Sequence, residues 1–127
     1  MNKKRPLNIN PLTIKLPIPA LVSICHRVSG VVVFLFIPAI LCLLGHSLES
    51  KASFDEMLAW MQAPVWKIFI WVLAVGLYFH VVAGLRHLLM DIHLGESLIA
   101  ARISAMVVFG LSFAFAVWAA LALGGVI

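Results

Sequence analysis

Two short stretches hold polar side chains at spacings that suit chemistry, and both lie in or against long apolar runs. The first is FHVVAGLRHLLMD, residues 79–91. On a helix turning ~100° per residue, Gly84 and His87 fall within ~40° of His80. Counted from Asp91, His80 lies ~16 Å along the axis, at mid-membrane depth if the run crosses a bilayer. A polar group there is costly and needs a partner. An imidazole beside a bare glycine suits a flat, bulky ligand. Haem fits such a site, with His80 on iron, Gly84 under the porphyrin edge and cationic groups nearer the surface for the propionates. The plainer alternative is that His80 hydrogen-bonds a neighbouring helix, Gly84 marks packing and His87 is an interfacial anchor. Arg86 points off this face and is expected to snorkel outward, towards Asp91.

The second stretch is SICHRVSG, residues 23–30. Ser23, His26, Arg27 and Gly30 stand at i, i+3, i+4 and i+7, so they share one helical face. A hydroxyl and a guanidinium one turn apart can donate hydrogen bonds to a carbonyl oxygen, as a quinone headgroup requires. Arg27 equally suits a topology anchor at the start of a span. Cys25 and Ser29 read as packing residues.

The elements that must position these groups are apolar. The chain has 127 residues, of which 64% are hydrophobic and 11% charged, and a mean hydropathy of +1.13. A soluble domain of this size could not hide so much apolar surface, so the expectation is one all-α integral membrane domain over residues 1–127. Spans are expected at about 28–48, 66–90 and 103–126, each exceeding the ~20 residues that cross a bilayer. The first helix is expected to begin at Pro19 and to kink at Pro38. Residues 1–18 form a basic arm, and its late, long first span argues against a signal peptide. Between the first two spans, Ser53 and Glu56 suggest a capping box. It would open a short interfacial helix with Phe54, Met57, Leu58 and Met61 on one face and Trp60 and Trp66 as belt residues. Gly110 and Ala114 suit close helix contact.

The net charge of +4 is distributed as topology signals rather than as a nucleic-acid patch. Lys3, Lys4, Arg5, Lys15, Arg27, Arg86 and Arg102 fall on one side and Lys51 and Lys67 on the other. The expected N-terminus is therefore cytoplasmic and the C-terminus periplasmic. Cys25 and Cys42 form no redox or c-type haem motif and read as small buried apolar residues. Counting equal depths puts Ile37 and Ser112 level with His80, with no histidine beside either and His26 at the start of the span. If His80 ligates iron, the second ligand is therefore expected from another chain.

RPLNIN, SICHRVSG and HVVAGLRHLLMD, in that order, resemble the cytochrome b subunit family of succinate dehydrogenase, respiratory complex II. The resemblance spans nearly the whole chain. It implies a membrane anchor in electron transport and the tricarboxylic acid cycle, with His80 an axial ligand of haem b and the opposite histidine on a second small anchor subunit. It further implies a ubiquinone site using Ser23 and Arg27, with His26 and Arg27 near the propionates and His87 near the haem edge. An iron–sulfur subunit and a flavoprotein subunit would dock on the cytoplasmic face of a bacterial inner membrane. Whether such heterotetramers form trimers stays open. The chain alone carries neither flavin fingerprint nor cluster cysteines, so it would act as a subunit and not oxidise succinate itself. Pro11 and His93 depart from the family's aliphatic and small residues. Two rivals are the anchor of a quinol:fumarate reductase and a non-redox scaffold or transporter.

Overall fold

A computed structural model describes residues 15–126, so RPLNIN and Pro11 lie outside the described residues. Four helices follow one another: α1 (Ile18–Glu49), α2 (Lys51–Gln62), α3 (Pro64–Asp91) and α4 (Leu98–Leu123). The first, third and fourth are long and apolar enough to cross a membrane. Their 32, 28 and 26 residues reach ~48, ~42 and ~39 Å at ~1.5 Å per residue.

Proline, serine and glycine set the boundaries. Pro17 is extended and Pro19 sits in the first turn of α1, where its missing N–H costs nothing. The helix runs on through Pro38. At Ser50 the chain turns extended (φ −162°, ψ 167°), and the Ser50 hydroxyl accepts the Ser53 N–H at 3.0 Å. Ser50, not Ser53, is thus the N-cap of α2, because the break after α1 comes three residues earlier than the Ser53–Glu56 pattern suggests. The Lys51–Asp55 pair (2.8 Å) spans the first turn of α2. Ala63 is held extended by the following Pro64, which opens α3. The α3–α4 turn needs two left-handed residues, His93 (φ 64°) and Gly95 (φ 78°). His93 therefore occupies a position where a side chain is tolerated rather than favoured, with Nδ1 2.8 Å from Glu96 Oε1. Ser97 caps α4 through the Ala100 N–H, so this helix starts five residues before the expected 103. It ends at Leu123 because Gly125 (φ 74°) turns the chain.

α3 packs on both α1 and α4, α1 also touches α4, and α2 folds across α1 and α3 at the far end. The buried core is small: Val22, Ala83, Ala105 and Val108, with Phe79, Val82 and Phe109 against it. Small side chains let these helices close up, while most large apolar residues face outward, as in lipid. Trp71 Nε1 donates to the Ala116 carbonyl at 2.9 Å and Tyr78 stacks on Phe115 at 4.1 Å, pinning α3 to α4 along their length. Two expectations fail here. Gly110 and Ala114 face outward, and a Cβ on Gly110 would meet nothing within 4 Å; the close contact uses Ala101 and Ala105 instead. Cys42 is exposed on α1 rather than buried, and Cys25 is half-buried. Of the α2 face, Met57 is buried whereas Phe54 and Leu58 stay exposed.

Ala105→Leu should overpack the α3–α4 contact, costing about 1–3 kcal/mol and lowering the thermal midpoint of the solubilised protein. An unchanged midpoint would show the contact to be loose.

Candidate functional site

His80 lies where α1 comes closest to α3. A Cβ built on Gly30 would stand 2.9 Å from His80 Cε1 and 3.3 Å from Nδ1, so the absent side chain is what admits the ring. His80 Nδ1 is 3.1 Å from the His26 carbonyl oxygen and 3.2 Å from Ser29 Oγ. Ser29 in turn donates to the same carbonyl at 2.8 Å. A carbonyl only accepts, so the Nδ1 proton is on His80 and Nε2 carries the lone pair. Ser29, read from sequence as packing, is a buried member of this network. Its signal was a hydroxyl one turn after His26, the back-bonding position of a helical serine.

His26 is the larger surprise. Its ring stacks on His80 with centroids 4.2 Å apart at 20°, and on His87 at 5.1 Å and 22°. It belongs level with His80, not at the start of the span. The helix start is as expected, Ile18 against Pro19; the depth count instead took Val28 as the edge of the span, whereas His26 is already eight residues into the helix, ~12 Å along its axis. The residues of α1 opposite His80 are His26, Ser29 and Gly30 rather than Ile37. His26 also fills the space over Gly84, where a Cβ would meet its Nε2 at 3.3 Å. Gly84 therefore seats an imidazole rather than an open cradle. His87 Nδ1 donates to the Ala83 carbonyl at 2.7 Å, which leaves its Nε2 as an acceptor too.

These three half-buried rings lie face to face. Among the described residues no group of three or more His, Cys, Asp or Glu is arranged to hold a metal ion. Stacking at 4.2 Å also leaves no room for a porphyrin between His26 and His80, so these two cannot be opposite ligands of one iron. Ser23 is half-buried and Arg27 exposed, one turn apart on α1. Neither hydrogen-bonds another described residue. Arg86 departs most from expectation. It is buried, donating from Nε to Ser104 Oγ (3.0 Å) and from Nη2 to the Ala101 carbonyl (3.1 Å), and it makes no ion pair with Asp91. Its off-axis position turns it into α4 instead of towards water.

The sequence matches the succinate dehydrogenase/fumarate reductase transmembrane subunits over residues 1–120. The chain belongs to this family. It is also 40% identical over 114 residues to the succinate dehydrogenase cytochrome b556 subunit of Coxiella burnetii (strain RSA 493 / Nine Mile phase I), covering 89% of this chain and 91% of that protein. This family member is accordingly a multi-pass membrane subunit of an oxidoreductase complex.

Gly30→Ala should force the His80 ring to shift, at a cost of about 1–3 kcal/mol. Nitrogen-15 spectra of histidine-labelled protein should show an Nδ1-protonated His80 in the parent chain and a tautomer mixture in the variant. Identical spectra would mean that Gly30 does not hold the ring.

Proposed function

We propose that this chain is the cytochrome b anchor of a succinate:ubiquinone oxidoreductase, holding haem b through His80 with a second anchor subunit and forming part of the quinone site with Ser23 and Arg27. One observation carries the reading: in a membrane seam, His80 is locked with Nδ1–H on the His26 carbonyl and Nε2 free. Metal-bound histidines are oriented in this way, by a carbonyl on the non-ligating nitrogen. The residues present fit haem for that reason, and because Gly30 leaves the ring its space. Bound there, haem b would supply a one-electron redox centre.

The chain's own residues have separable tasks. Ser29 and the His26 carbonyl orient His80 and keep its proton on Nδ1. His26, stacked alongside, offers a ring N–H to a carboxylate such as a propionate, and His87, whose Nδ1–H is spent on the Ala83 carbonyl, lies next to it. Arg27, exposed on α1, would stabilise negative charge developing on a quinone oxygen, and Ser23, one turn earlier, would donate to it. Succinate oxidation belongs to the flavoprotein and iron–sulfur partners, docked on the cytoplasmic face with this chain's N-terminus. The family description covers fumarate reductases as well. We assign succinate oxidation because the relative from Coxiella burnetii bears a succinate dehydrogenase name. The basic residues on one side support a cytoplasmic N-terminus, and placement in a bacterial inner membrane is part of the same proposal.

His80→Leu should remove or greatly weaken the b-type bands in reduced-minus-oxidised spectra of the purified complex; unchanged bands would refute the ligand. Ser23→Ala and Arg27→Leu should cut quinone reduction on the order of 10-fold and 100-fold, while succinate oxidation by a water-soluble dye persists. Normal quinone kinetics in both would eliminate that pocket.

A further inference from the structure

Arg86 is a full charge placed where nothing in this chain neutralises it. Its side chain is 6% exposed, and guanidinium stays protonated. Only two of its five N–H groups meet described partners, both uncharged: the Ser104 hydroxyl and the Ala101 carbonyl. The chain has five acids. Glu49, Asp55 and Glu56 lie at the opposite end of the bundle, Glu96 is taken by His93 at 2.8 Å, and Asp91 is exposed without pairing to Arg86. Residues 1–14 contain no acid. A counter-anion must come from outside.

The surroundings indicate its chemistry. Arg86 lines a groove of about 660 Å³ between α3 and α4, walled by Leu85, Leu89, Ile103 and Val107. The groove runs from the turn at Leu94 and Gly95 down to Val82 and Val108. Arg86 sits five residues from the end of α3, ~7.5 Å below it, the depth at which headgroup meets acyl chain. On α3 it is ~120° from His80 and bonded to α4, so it faces away from the histidine seam. A neutral quinone would leave the charge unmatched, and a zwitterionic lipid brings its own cation.

We infer that the α3–α4 groove binds an anionic phospholipid, with a phosphate oxygen accepting from Arg86 and an acyl chain between Leu89 and Val107. This site is independent of haem and quinone binding.

The test uses the whole complex, purified in mild detergent and examined by native mass spectrometry. Phosphatidylglycerol should stay bound to the parent complex and to Arg86→Lys, and be retained about 10-fold less by Arg86→Gln. Leu89→Trp, which fills the groove and keeps the charge, should lose it too, and decides the matter if Arg86→Gln fails to assemble. Adding phosphatidylglycerol to delipidated complex should raise its thermal midpoint more than phosphatidylcholine does. Equal retention by all variants, equal effects of the two lipids, or a partner-subunit carboxylate bonded to Arg86 in a structure of the complex would each overturn the site.

Discussion

One backbone carbonyl organises this protein's polar seam. The oxygen of His26 accepts one hydrogen bond from Ser29 and another from His80, so a main-chain atom of α1 sets the tautomer of a ring on α3. That is possible only because the two helices meet at a glycine. The pairing ties register to reactivity: a slip of one residue between α1 and α3 would remove the acceptor and expose the wrong nitrogen. In hydrocarbon, where stray polar groups find no water, such a network holds because every member is supplied.

The long apolar runs and the two polar motifs were legible from residue types alone, as was the face carrying His80, Gly84 and His87. Depth was not. Counting depth from where hydrophobicity becomes continuous placed the membrane edge of α1 near Val28, although the helix itself, expected from Pro19 and found from Ile18, already carries His26 inward. Hydropathy marks where lipid begins, while helix register depends on where hydrogen bonding begins, and the two differed here by ten residues. Arg86 shows a second limit. A helical wheel says which face a residue leaves, not which neighbour receives it, so outward and buried fates look alike. Ser50 won over Ser53 for a related reason: capping follows the backbone break, which local pattern only suggests.

The bundle is incomplete by its own logic. Its core is four side chains, and the histidine row, though ordered, is only half-buried. Three helices bury small residues against each other and leave large ones outward, a surface suited to lipid and to other membrane subunits alike. Membership of a subunit family accounts for this economy, since much of the packing a solitary domain would need can be provided by neighbours.

At the opposite end lies an aromatic row. His46 stacks on Trp60 at 5.2 Å, Trp60 faces Trp66 at 6.4 Å, and Trp66 meets Phe69 edge-on at 5.5 Å. Because Trp60 rides on α2 and Trp66 on α3, their separation is set by how the short helix seats against the long one. Two indoles this near exchange excitation, so the fluorescence of the chain carries an intrinsic optical gauge of that seating, far from the seam.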